Sequence, residues 1–215
     1  LEELAANALS ANSNLVLDSG ATLELHDNSA TINALVGAGS VVNSFVAHTD
    51  TLTVGAANGS GAFFGTISSG ATLNFVKNGT GTQVLSGVNA YTGTTTINAG
   101  VLALSGNGQI STSSQIVNNS IFLIADDVAS HTVGAITGTG TTQLNDGAQL
   151  TATSIVQGTL NIGVGTTLTI APSGTASSMA SVPEPSTLAL LGIGAISLLA
   201  CTWRRQKQKQ FVNNG

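Results

Sequence analysis

Cysteine is nearly absent from this 215-residue sequence: Cys201 stands alone. No internal disulfide can form, so the fold must rest on burial and backbone hydrogen bonding. Charge is also scarce, at 7% of residues, against about 25% in an ordinary soluble domain. Disorder does not follow, because 42% of the residues are hydrophobic and disordered chains are poor in apolar residues and rich in charge. Basic residues are the rarest part. From Leu1 to Trp203 only Lys77 opposes ten acidic residues, a balance of −9. Such a body excludes phosphate-backbone binding, which needs Lys and Arg, and no nucleic-acid partner is expected. From Arg204 onward four basic residues and no acidic ones give +4. No initiator Met and no charged leader before an apolar stretch open the sequence, so we expect a true N-terminus further upstream.

What the chain does have is Thr, Ser, Asn and 26 glycines, the mixture of turns and of solvent-facing β-structure. Residues 1–12 read as a short helix or the edge of a truncated domain. Over residues 13–171, short apolar runs alternate with Gly and Asx residues: Leu15–Leu17, Thr22–Leu25, Val41–Val46, Leu73–Val76, Thr94–Ile97, Ile121–Ile124 and Leu168–Ile170. No apolar stretch holds a helical period and β-branched residues dominate, so the zone is all-β.

Repeats bear on the choice between sandwich and solenoid. A Gly-x-Gly step recurs at Gly37, Gly59, Gly79, Gly106, Gly138 and Gly163, each roughly 20–30 residues after the last, the period of a solenoid coil. The phrase Ser19-Gly-Ala-Thr-Leu23 returns as Ser69-Gly-Ala-Thr-Leu73 and, more loosely, as Asp146-Gly-Ala-Gln-Leu150. Near-regular steps suggest stacked coils with glycine at the corners, and we expect a parallel β-helix of roughly six to eight coils. If the glycine intervals measure the coils, coil length varies as widely as they do, and some turns bulge into loops. A β-sandwich is the alternative.

Within this zone, the stretch from Phe75 to Leu104 carries Lys77, Gly79, Gly81, Leu85, Ser86, Gly87, Asn89, Tyr91, Gly93, Ile97, Asn98, Ala99, Gly100 and Leu102 in a spacing that resembles the autotransporter-associated β-strand repeat. The resemblance is confined to that stretch and implies a right-handed parallel β-helix in a secreted surface protein.

The last zone holds a linker over residues 172–186 that ends in Val182, Pro183, Glu184, Pro185 and Ser186. An uncharged apolar run follows over residues 187–203, then Arg204, Arg205 and the rest of a basic tail to residue 215. The prolines keep the preceding segment extended and accessible. As a helix the run would be about 25 Å long, near the short limit for a bilayer core. Trp203 stands where an interfacial aromatic belongs, and the basic tail belongs on the cytoplasmic side. A buried core helix is the bland reading of such a run, and the flanking motif and charges oppose it.

In this order and spacing, Val182–Arg205 resembles the PEP-CTERM sorting signal. The resemblance implies a Gram-negative bacterium, export, transient anchoring in the inner membrane, and an exosortase that recognises the Pro-Glu-Pro segment and removes the tail. The extension after Arg205 is longer than usual for that signal.

Catalytic constellations are sparse. Asp126, Asp127 and His131 are the one acid/base or metal candidate, since solenoid polysaccharide lyases and hydrolases use paired carboxylates. Neighbouring strand residues point to opposite faces, so loop solvation accounts better for them. His26 beside Asp27, and His48, read as ordinary surface residues, and Cys201 as a small membrane-facing apolar residue. No glycine-rich step completes a nucleotide fingerprint, and no cofactor or metal is expected. Thr-x-Thr pairs at Thr51, Thr94, Thr151 and Thr167 would form an ice-binding ladder only if they stacked in register. The expected function is non-enzymatic: a structural or adhesive β-helix at the cell surface or in the matrix, with exopolysaccharide a possible partner. The alternatives are a polysaccharide-active enzyme and an ice-binding solenoid.

Overall fold

The computed structural model describes residues 8–45, 48–125 and 129–171. They belong to the first of the chain's two units, Leu1–Ala180; the second, Ser181–Gly215, lies outside the described residues.

Among the described residues nineteen strands wind into a parallel β-solenoid. The first three coils each contain three strands: β1 Asn14–Leu17, β2 Thr22–Glu24 and β3 Ala30–Thr31; β4 Ala34–Gly37, β5 Ser40–Asn43 and β6 Asp50–Val54; β7 Gly61–Phe63, β8 Thr66–Ser69 and β9 Leu73–Lys77. From the fourth coil each turn has two: β10 Thr82–Leu85 and β11 Thr95–Ile97; β12 Val101–Leu104 and β13 Gln115–Asn118; β14 Ile121–Ile124 and β15 Ser130–Thr137; β16 Thr141–Leu144 and β17 Gln149–Ile155; β18 Thr159–Ile162 and β19 Thr167–Ile170. Strands of successive coils stack into two eight-stranded sheets, one starting at β1 (sheet I) and one at β3 (sheet III), plus a short sheet β2-β5-β8 between them (sheet II). Every pairing between the named strands is parallel. The expected solenoid of six to eight coils is therefore found, with eight, and the sandwich is excluded.

The coils are more uniform than the glycine intervals suggest. In sheet I, Asn14 registers with Ala34, Gly37 with Phe63, Gly61 with Gln83, Thr82 with Val101, Val101 with Ile121, Ile121 with Thr141 and Thr141 with Thr159. The longest of these steps, Gly37 to Phe63, exceeds the shortest, Thr141 to Thr159, by less than the glycine intervals differ among themselves. The expected spread of coil lengths is thus corrected to a narrower one. The cause is positional. The pairs beginning at Gly37, Gly106 and Gly163 end or follow a sheet I strand, whereas those beginning at Gly59, Gly79 and Gly138 precede or open one. They mark two different corners, and counting them as one series mixes the phases.

Alternation along each strand fills the interior. Leu17, Phe63, Leu85, Leu104, Ile124 and Leu144 point inward from sheet I, and Leu52, Phe75, Ile116 and Ile136 from sheet III, all buried in one apolar core. Where coils come closest, only glycine fits. At Gly55, with φ +89°, an added Cβ would overlap the Asn78 carbonyl of the next coil. A left-handed backbone and zero clearance demand the same residue. At the other end, Leu160, Ile162 and Ile170 of the last coil are 36–39% exposed, because among the described residues no coil stacks on them.

Candidate functional site

The residues of the repeat pattern run from the end of the third coil, through the fourth, into the fifth, and several have a structural job. Lys77 occupies an inward column, between Val54 and Ile97 of the neighbouring coils. Fully buried, it donates through Nζ to the carbonyls of Asn78, Gly79 and Ala99. Burial disfavours the ammonium and holds its pKa below the ordinary lysine value. Asn89 stands where sheet II stops. Its Oδ1 accepts from the Ile67 amide at 3.0 Å, and its Nδ2 donates to the Gly87 and Gln109 carbonyls at 2.9 and 3.1 Å. The side chain thereby carries the pairing that a missing strand would have made.

Tyr91, the single tyrosine, is fully buried, stacked on Phe75 with centroids 5.9 Å apart. Its hydroxyl and that of Thr95 are 2.8 Å apart, Thr95 lies 2.8 Å from Ser113, and Ser113 donates to the Gly93 carbonyl at 2.9 Å. Every oxygen in that buried chain has a partner, as the low dielectric requires.

The titratable side chains divide otherwise than expected. His131 does not belong to a solvated loop. It lies on β15, fully buried, with Nδ1 donating to the Gly108 carbonyl at 2.7 Å, because its position in the strand alternation faces inward. Asp126 and Asp127 lie outside the described residues. His26, Asp27 and His48, read separately as surface residues, meet at one corner. His48 Nδ1 approaches Asp27 Oδ2 at 3.6 Å, and His26 stacks on Phe45 at 4.6 Å. The Asn43 Nδ2 reaches Asp50 at 2.9 Å and Asp27 at 3.4 Å. His26 and Asp27 both hold positive φ, at 52° and 55°. This cluster escaped the sequence reading because it joins residues from successive coils. The only signal was that His26 and His48 stand about one coil apart in the chain, which means nothing until the register is known.

Among the described residues no three His, Cys, Asp or Glu side chains could hold a metal ion. A recess of about 450 Å³ opens beside β16 and β18 and offers one carboxylate, Asp146, already accepting from the Val164 amide at 2.8 Å. The Thr-x-Thr pairs do not form an unbroken ladder. Thr51 and Thr53 face Asn74 and Val76 in the next coil, and Thr96 faces Val117. The sorting-signal residues Val182, Pro183, Glu184, Pro185, Arg204 and Arg205 lie outside the described residues, as does the apolar run. Among the described residues no helix is long and apolar enough to cross a membrane.

Comparison with known families now adds to this geometry. The family model described as Passenger-associated-transport-repeat matches residues 75–104, the stretch whose polar side chains close the fourth coil. The PEP-CTERM protein-sorting motif matches residues 181–206. The chain carries both. It is thus an exported PEP-CTERM protein with an autotransporter-like β-solenoid, associated with the cell surface, and the motif implies processing by an exosortase. It is also similar to the Adhesin BmaC autotransporter of Brucella suis biovar 1 (strain 1330), 39% identical over 84 residues. That match covers 39% of this chain and 2% of the adhesin's length. No solved structure matches.

Proposed function

We propose that this PEP-CTERM protein is a non-enzymatic, structural or adhesive stalk of a Gram-negative cell surface or its exopolysaccharide matrix. The carrying observation is the coupling of one architecture to one address: an eight-coil parallel solenoid followed in the chain by the sorting motif. A solenoid offers a long surface of repeated groups to a repeating ligand. On sheet III the outward column Thr53, Val76, Thr96, Val117 and Thr137 is uncharged and β-branched throughout. Such a face suits glycans better than chemistry. Similarity to an adhesin supports the same reading.

In this proposal residues 172–186 are the linker, residues 187–203 the transmembrane helix and residues 204–215 the cytoplasmic tail. The enzyme at Val182–Pro185 is an exosortase, and Arg204 and Arg205 hold the tail inside before cleavage. Right-handed winding is expected of the coils, as for nearly all parallel crossovers.

The test is the intact mass of the mature protein in its host, with and without alanines at Pro183, Glu184 and Pro185. Loss of the tail in the wild type, abolished by the replacement, supports processing. An uncleaved tail in both makes the segment a plain anchor and removes the exosortase from the proposal.

A polysaccharide-active enzyme would need converging carboxylates. Asp27 and Asp50, which share the Asn43 amide, are both engaged with it.

A further inference from the structure

The two large sheets have outer faces of different chemistry. Every strand of sheet I lacks charge: NLVL, ALVG, GAF, TQVL, VLAL, IFLI, TTQL and TLNI. Its inward residues are the core ladder. The alternate residues point outward, and register stacks them as Val16, Val36, Ala62, Val84, Ala103 and Leu123, one per coil. Beside this column Val101 stacks on Ile121. None of these eight side chains belongs to the core cluster or packs against it. Only Ala103, small between Val84 and Leu123, is buried by its neighbours on the stripe. The outer face of sheet I is therefore an apolar stripe six coils long, where the matching column of sheet III alternates threonine with valine.

Parallel sheets are ordinarily covered on both faces, and their strands then read as continuous apolar runs, as VLAL and IFLI do here. Val16 on this stripe is exposed and Val36, Ala62, Val84, Val101, Ile121 and Leu123 are half-buried. An apolar stripe of this length on which no other strand of the described residues is stacked implies a cover. We propose that the cover is a second copy of this chain, packed sheet I against sheet I about a two-fold axis that runs along the strands between β10 and β12.

Three observations select that occupant. First, the column is self-complementary about that axis. Val84 meets Ala103 of the second copy and Ala62 meets Leu123, so a small residue faces a larger one at each central position, and the ridges interdigitate. Second, the same operation sends Val36 to Gln143 and Val16 to Asn161, the outward residues of β16 and β18. The dimer then has an apolar centre and a more polar rim, the anatomy of specific interfaces. Third, the size is adequate. Eight strands of mostly four residues make a face roughly 34 Å by 13 Å, or ~450 Å² per copy. Two such faces bury on the order of 900 Å² as flat area, and side-chain relief carries this past the ~1,000 Å² a specific interface requires. This inference does not depend on what the surface protein binds.

The experiment uses the full chain with Cys201→Ser, in mild detergent, followed by sedimentation. The wild-type surface is expected to sediment as a dimer. Val84→Asp and Leu123→Asp are each expected to give monomer, since a carboxylate at the interface centre stays unpaired on burial. Val76→Asp, at an equivalent outward position on sheet III, is expected to leave the dimer intact. Circular dichroism checks that each variant keeps its β-signal, and Val84→Thr replaces any aspartate variant that does not fold. An Ala62→Cys chain mixed with a Leu123→Cys chain is expected to be joined by a short bis-maleimide. Either chain alone is expected to cross-link far less, its thiols lying about three strand spacings, or ~14 Å, apart along the stripe. A monomeric wild type, dissociation by Val76→Asp as readily as by Val84→Asp, or equal cross-linking in single and mixed samples would overturn the proposal. So would a monomer that binds phosphatidylcholine vesicles through Val84 and Leu123.

Discussion

Gln83 pairs with the backbone of Leu35 across an intervening coil. Its Nε2 donates to the Leu35 carbonyl at 2.9 Å and its Oε1 accepts from the Leu35 amide at 3.1 Å, 48 residues away in sequence. The coil between them presents Gly61, where an added Cβ would overlap the Leu35 carbonyl and crowd Gln83 Oε1. A side-chain amide thus substitutes for a strand's peptide at the point where β4 and β7 register only through Gly37 and Phe63.

Gln83→Leu keeps volume and removes both bonds, leaving a buried N–H and a buried C=O. We expect a loss of roughly 2–6 kcal/mol, from about 1–3 kcal/mol for each of the two unsatisfied groups. Urea unfolding gives the total, and hydrogen exchange should show the Leu35 amide losing its protection. A change within experimental error would mean that Leu35 finds other partners.

Glycines that look alike in the sequence should differ sharply on replacement. Gly55→Ala drives a Cβ into the Asn78 carbonyl at a left-handed φ, whereas Gly147, at φ +77°, has nothing within 4 Å. Gly147→Ala is expected to cost about 1–2 kcal/mol, the left-handed penalty alone. Gly55→Ala adds an overlap between coils and should prevent cooperative folding, read as loss of a sharp thermal transition. Comparable melting of the two variants would refute the packing argument.

Tyr91 permits an unusually clean titration, because no second tyrosine contributes. Its burial disfavours the phenolate and raises its pKa far above the ordinary value of 10.0. The folded value exceeds the unfolded one, so the stabilisation is complete below about pH 10 and falls as pH rises further. Tyrosinate absorbance should therefore appear together with loss of the β-signal. A smooth titration near pH 10 in folded protein would contradict it.

Lys77 shifts in the opposite direction, with the opposite consequence. Its folded pKa lies below 10.5, so the unfolded chain holds the proton more readily. Stability should rise with pH between the folded value and 10.5. Lys77→Met is expected to abolish that rise while leaving the carbonyls of Asn78, Gly79 and Ala99 short of donors, at a cost of about 1–3 kcal/mol below it. Stability profiles of both forms against pH decide the matter.

Much of the solenoid was legible in single residues. The runs at Leu15, Leu73 and Ile121 became strands close to their expected limits, because alternation and β-branching are local properties. The sorting motif was legible for a similar reason: an enzyme that reads a linear segment leaves a linear pattern. Polar residues inside the core were not. Nothing near Gln83, Asn89 or His131 announces that its partner lies one or two coils away.

By itself, then, the sequence determined the class of fold, the number of coils within narrow limits, the repeat and the address. These depend on residues close together along the chain. Only the tertiary structure decided the phase of each coil, since glycines at two corners look identical until register separates them. Only register, too, showed that Val16, Val36, Ala62, Val84, Ala103 and Leu123 share one outer stripe. Stacking converts a separation of about one coil in sequence into a strand spacing of about 4.8 Å, and that conversion is invisible to any local pattern.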